Sequence, residues 1–206
     1  MMRKTLSEWM DNCVHPGRVK VHIVVDDEET AEYLSDFDFL HVTKKRSVGV
    51  VKPLNALLSE YEPKEDDEIM IVASDDFSAP TNWDMYLEEK FSSFKGVLKV
   101  NDGHMEDIIS IPILTYKAYC EMGKTIYHPA YDHMFCDKEL HDTASELGLM
   151  QAVSKADPIW EHHHPHYQKR DSDDNDKRNS QSFSDGKEIY RKRRYLTLQE
   201  RLERAV

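Results

Sequence analysis

Residues 68–87, EIMIVASDDFSAPTNWDMYL, set an unbroken apolar run, two adjacent carboxylates and a helix start side by side. The run 69–73 is rich in β-branched residues and has no polar interruption, which is the pattern of an interior parallel strand covered on both faces. Ser74, Asp75 and Asp76 end it. Carboxylates at the carboxyl end of such a strand lie in the crevice where open α/β sheets bind ligands, so they mark a candidate site for a metal ion and phosphate. Pro80 and Asn82 signal a loop and a helix start, and Trp83, Tyr86 and Leu87 then recur at helical spacing. Capping of that helix, or solvation of a turn, is the competing reading of the same acids.

The same strand, acidic tip and helix occur earlier in the chain. Residues 4–12 place Leu6, Trp9 and Met10 on one helical face, and His15-Pro16-Gly17 follows as a breaker. A strand over 19–25 ends in Asp26 and Asp27, and a helix begins at 28. After a short strand over 39–43, Lys44, Lys45 and Arg46 form a basic loop ahead of a helix carrying Pro53, Asn55 and Leu58. Repetition of this plan points to α/β architecture. Neither GxGxxG nor GxxxxGK[ST] occurs, so dinucleotide and P-loop readings are excluded.

Two further strands are expected over 96–100 and 110–114, separated by the polar loop Asn101-Asp102-Gly103-His104. Asn101, Asp102 and Trp83 are candidates to face an acceptor, and a simple turn explains the loop equally. A helix over 136–147 carries Asp137 and Glu139 in its first turn, where the helix dipole favours negative charge. Trp160 then precedes Glu161 and a histidine-rich segment, in which His162 and His164 share one side of an extended chain and His163 faces the other. An exposed, metal-buffering histidine tract is the alternative.

With 206 residues the chain has room for one sizeable core, and the expected organisation is a domain over 1–169, an acidic linker over 170–187 and a basic helix over 188–206. The formal charge of -12 argues against a surface built to grip nucleic-acid phosphates. Cys13, Cys120 and Cys136 are odd in number and widely spaced, which favours a reducing compartment, and no segment reads as a leader or membrane span. A cytoplasmic location is expected.

Taken in order over residues 3–167, these signals resemble family 2 glycosyltransferases of the glycosyltransferase A fold, particularly small bacterial and phage-type members. The most specific segment is VASDDFSAPTNWD, residues 72–84, which is similar to the family's Asp-x-Asp-type motif. The resemblance implies Asp76 as metal ligand and Asp75 beside the donor. Asp26 and Asp27 resemble the acidic tip that holds the base or ribose, and Arg46 and Asn55 the basic loop and asparagine helix ahead of the metal motif. Asp137, in MFCDKEL, matches the carboxylate that activates the acceptor. His162 or His164, in EHHHPH, matches the late histidine that reaches back to the metal or diphosphate.

The fold implied is α/β, glycosyltransferase A-like, with a mixed, mainly parallel sheet flanked by helices. The family's opening strand, central in its sheet, has no counterpart ahead of residues 4–12, so an N-terminally truncated version is expected. The activity implied is inverting, metal-dependent transfer of a sugar from a nucleotide-sugar donor to a hydroxyl acceptor: a glycan, a protein, a lipid-linked sugar or a modified nucleotide. A catalytically inactive relative that binds a nucleotide sugar or a partner is the alternative. The cofactor is Mn2+ or Mg2+, with mixed oxygen and nitrogen ligation moving the balance toward Mn2+.

Overall fold

The computed structural model describes residues 2–25, 32, 40–44, 49–60, 65, 68–164 and 182–203. Its elements in chain order are α1 (Met2–Asp11), β1 (Val21–Val25), β2 (Leu40–Lys44), α2 (Val51–Glu60), β3 (Ile69–Ile71), β4 (Phe77–Ser78), α3 (Trp83–Ser92), β5 (Val97–Lys99) and β6 (Ile113–Thr115). There follow α4 (Tyr116–Glu121), α5 (Cys136–Glu146), β7 (Met150–Ala152), β8 (Glu161–His162), α6 (Phe183–Arg193) and α7 (Leu198–Leu202). The architecture is mixed α/β. Among the described residues, no helix is long and apolar enough to cross a membrane.

The central sheet has the order β3-β6-β5-β7. β6 runs antiparallel to both β3 and β5, and only β7 lies parallel to β5, so this sheet is not the mainly parallel one expected. β1 and β2 form a separate parallel ribbon, and β4 and β8 a short antiparallel one. The short length of β3 has a local cause. Tyr116 N–H donates to the Glu68 carbonyl at one end of the β3–β6 ladder, and Val72 N–H donates to the Pro112 carbonyl at the other, both at 2.9 Å. Proline has no N–H to return, so the ladder closes there, and the strands expected over 69–73 and 110–114 reduce to three residues each. β3 does carry core on both faces: Met70 is buried in the cluster that holds Leu114, and Ile69 and Ile71, half-buried, pack against the cluster that holds Ile113.

Alternation along β5 and β6 divides the core. Val97 opposes Leu114 on one face and Leu98 opposes Ile113 on the other, and all four are fully buried. The Val97 face packs against residues of α2, α4 and α5, among them Leu58, Tyr119 and Leu140. The Leu98 face packs against Phe77, Trp83, Leu87 and Trp160.

The basic C-terminal segment is divided between two helices. α6 begins at Phe183, inside the stretch read as linker, and the chain breaks before Thr197, whose hydroxyl and Glu200 form a capping box for α7. Both helices pack on α5, which presents Glu139, Asp142 and Glu146 at helical spacing. Arg193 meets Glu139, the Tyr190 hydroxyl donates to Asp142, and Arg201 meets Glu146. Charge complementarity therefore folds the basic tail back onto the domain.

Candidate functional site

The segment after β3 is held by α1. Thr5, Trp9 and Asn12 lie at i, i+4 and i+7 on one helical face and donate to the carbonyls of Asp75, Phe77 and Ala79, at 2.7, 2.8 and 2.7 Å. Asp75 lies in a turn, whereas Phe77 and Ala79 are alternate residues of an extended segment, whose carbonyls point the same way. The three tryptophans reinforce the mount: Trp9 lies 5.5 Å from Trp83 and 5.7 Å from Trp160 between ring centroids. Trp160 leads directly into β8, so one aromatic cluster positions both β4 and the histidine segment. Trp83 is 5% exposed and gives its indole N–H to the Trp9 carbonyl, which makes it a core residue and not the acceptor platform expected.

This scaffold brings Asp76 and His162 together. His162 Nε2 lies 3.3 Å from Asp76 Oδ2, the Ser74 hydroxyl donates to Asp76 Oδ1, and the His163 amide donates to the Asp76 carbonyl at 2.7 Å. Asp76 is 8% exposed. Burial alone would raise its pKa, but hydrogen bonds from His162 and Ser74, with the charge of His162, outweigh it and bring it down to about 2. The His162 ring stacks on Phe77 at 4.1 Å, and His164 follows on the same side, 5.4 Å from His162. His163 turns the other way, to Ser78 Oγ at 2.9 Å, as alternation along an extended segment requires.

His133, absent from the sequence reading, joins this cluster from the turn before α5. Burial lowers its pKa, and it lies within electrostatic reach of both Asp76, which opposes that shift, and His164, which adds to it. Its Nδ1 is buried with no hydrogen-bond partner among the described residues. The turn is tight: Phe135 adopts φ +70° as N-cap, and Cys136 Sγ donates to the His133 carbonyl at 2.7 Å. Four residues after His133 comes Asp137, whose carboxylate accepts from Lys138 N–H at 2.8 Å. Burial raises the pKa of Asp137, more than its backbone hydrogen bonds lower it.

Other expected site residues are engaged elsewhere. Asn55 donates its side-chain amide to the Tyr127 carbonyl at 3.0 Å, tying α2 to that loop instead of presenting the group to a donor. Asp75 lies in the turn closed by Phe77 N–H on the Ser74 carbonyl, next to Asp76. Asn101 donates to the carbonyls of Lys155 and Asp157 and accepts from Gly103 N–H, so its side chain ties the loop together. Asp102 Oδ1 accepts from the amides of His104 and Met105 at 2.9 and 2.7 Å, an Asx turn. Asp26, Asp27 and Arg46 lie outside the described residues.

The donor chemistry fits a shared cation in part. Two ligands each about 2.1 Å from an octahedral ion lie about 3 Å apart, close to the separation of Asp76 Oδ2 and His162 Nε2. No group of three or more His, Cys, Asp or Glu side chains is arranged to hold a metal among the described residues. Asp76 and His162 are thus a pair of side chains at ligand spacing and not a closed protein cage. Compared with known proteins, the chain matches no family model, no curated protein and no solved structure.

Proposed function

We propose that the protein is an inverting, metal-dependent transferase of glycosyltransferase A-like fold that moves a sugar from a nucleotide-sugar donor to a hydroxyl acceptor. The observation that carries this reading is the meeting of Asp76 and His162 at 3.3 Å, from the end of one apolar strand and the start of the histidine segment. Mn2+ or Mg2+ bound at Asp76 and His162 supplies Lewis-acid neutralisation of the departing diphosphate.

The chain's own residues supply the rest. Asp76 stays ionised because His162 and Ser74 hydrogen-bond its carboxylate. Asp137, whose pKa burial raises, is a stronger base than an ordinary carboxylate and accepts the proton of the acceptor hydroxyl. Attack from the side opposite the leaving group inverts the anomeric centre. The test is release of nucleoside diphosphate from a panel of nucleotide sugars with Mn2+. The wild-type chain is expected to turn over at least one of them, and Asp137→Asn to lower that rate about a hundredfold or more while donor binding persists. Equal rates in the two proteins would remove Asp137 from the mechanism.

A second reading is binding of a nucleotide sugar without turnover. What favours it is that both oxygens of Asp76 already have partners, Ser74 and His162. Tight donor binding with no diphosphate release from any sugar in the panel would select it.

A further inference from the structure

The inner cations of the C-terminal segment are used in folding, and the outer ones are not. Arg193 and Arg201 pair with Glu139 and Glu146 on α5. Lys187, Arg191 and Arg194, at i, i+4 and i+7, share an arc of about 60° on one flank of α6, which Arg194 continues as a C-cap with helical φ and ψ. All three are exposed, and none of them makes an ion pair among the described residues. Glu188 is already held by Lys192 at 3.0 Å, and these two and Asp185 point about 90° or more away from the middle of the stripe. Exposed apolar side chains gather at the same place: Phe183 at 45%, Tyr195 at 81% and Leu196 at 37%. Phe183 opens the stripe, packed on Phe135 by one side and with Lys187 Nζ 6.0 Å from its ring centroid. Tyr195 closes it, 5.3 Å from the Arg194 guanidinium. Neither the unpaired cations nor the exposed rings are accounted for by packing on α5.

We propose that this flank of α6 and the turn after it form a docking surface for an anionic phospholipid bilayer, with Lys187, Arg191 and Arg194 at the headgroup phosphates and Phe183, Tyr195 and Leu196 at the boundary with the acyl chains. The charges are complementary, and the apolar members require an occupant that offers more than charge. A bilayer surface supplies both, whereas an acidic peptide would meet the cations and leave the rings in water. Shape favours the same occupant. The outer face of a helix is convex, and a stripe about 10 Å long lies along a broad surface over its whole length, whereas single-stranded nucleic acid is held in a groove. The long stems of lysine and arginine keep their charges at headgroup level while the neighbouring rings sit deeper. The formal charge of -12 does not prevent the approach, because exposed charges more than about 8 Å away are largely screened at physiological salt. The docking surface shares no residue with the Asp76–His162 pair and does not depend on the transferase reading.

The experiment is co-sedimentation of the full chain with vesicles of phosphatidylcholine alone, or of phosphatidylcholine and phosphatidylglycerol in equal parts. Wild type is expected to bind the mixed vesicles at about 0.05 M salt, and to bind about tenfold more weakly or worse at about 0.5 M salt or on phosphatidylcholine alone. Lys187→Gln/Arg191→Gln/Arg194→Gln should weaken binding to the mixed vesicles about tenfold or more. Lys4→Gln/Lys20→Gln/Lys117→Gln removes the same charge elsewhere and should bind as wild type does. Tyr195→Ser should weaken binding about threefold or more and leave its salt dependence unchanged. All these side chains are exposed, so the melting temperatures should match that of wild type. Absence of wild-type binding to the mixed vesicles, equal losses in the two triple variants, or wild-type affinity in the Lys187 triple variant or in Tyr195→Ser overturns the bilayer surface. Binding of a labelled oligothymidylate with none to vesicles overturns it as well, and assigns the stripe to nucleic acid.

Discussion

A Cβ built on Gly186 falls 2.3 Å from the carbonyl oxygen of Met134, so α6 and the turn carrying His133 touch backbone to backbone. Through that contact the C-terminal helix braces the loop that brings an imidazole within reach of Asp76. Around it, Phe135 packs edge-on against Phe183 at 5.0 Å and stacks with Tyr190 at 5.9 Å, which helps hold its positive φ.

The sign of one substitution tests that contact. In an open helix interior, Gly→Ala stabilises by about 1 kcal/mol. Here the added methyl meets a backbone carbonyl that cannot swing aside, so Gly186→Ala should destabilise by about 1–3 kcal/mol in urea titrations. A stabilised variant would show that α6 does not press on Met134.

Arg193 and Glu139 hold the same helices from the other side. The guanidinium reaches both carboxylate oxygens at 2.8–3.0 Å, and the Tyr131 hydroxyl donates to Oε2 at 2.6 Å. The Arg193 and Glu139 side chains are only 13% and 7% exposed. Removing one partner strands a buried charge, so Arg193→Met should cost about 3–5 kcal/mol, and the double variant Arg193→Met/Glu139→Leu should recover part of it, short by the Tyr131 hydroxyl left without its acceptor. Denaturant midpoints measure both. If the double variant falls as far as the single one, the loss is one of packing and not of an uncompensated carboxylate.

Acid titration isolates Asp76. Its folded pKa of about 2 lies below the ordinary 3.8, so its contribution is fully present above about pH 4 and is lost as the pH falls through 2. The stability gap between wild type and Asp76→Asn should be on the order of 2 kcal/mol above pH 4 and close toward pH 2. A gap that does not change over that window would mean that His162 and Ser74 leave the carboxyl unaltered.

Some of this was readable from residues alone, and the exceptions have physical causes. α5 is marked by Asp137 and Glu139 in its first turn and closed by Gly148, all local signals. The common side of His162 and His164 follows from strand alternation. The direction of β3 does not, because an apolar run looks the same in a parallel or an antiparallel sheet, and it is fixed only by tertiary pairing with β6. Trp83 at a helix start reads alike whether it meets a ligand or a core, and only the fold gives its N–H to Trp9. His133 is a lone imidazole in an irregular segment, and its nearness to Asp76 exists only once α5 is docked. The acidic stripe on α5 and the basic tail are each visible in sequence, but their pairing is tertiary.

The most direct measurement is calorimetric titration of uridine and guanosine diphosphates into the full chain, with and without Mn2+, for wild type, Asp76→Ala and His162→Ala. If the two side chains hold one cation against a diphosphate, at least one diphosphate binds only when Mn2+ is present, and each variant weakens that same event about tenfold or more. Mn2+-independent binding, or wild-type affinity in either variant, would contradict a shared metal and diphosphate site at Asp76 and His162.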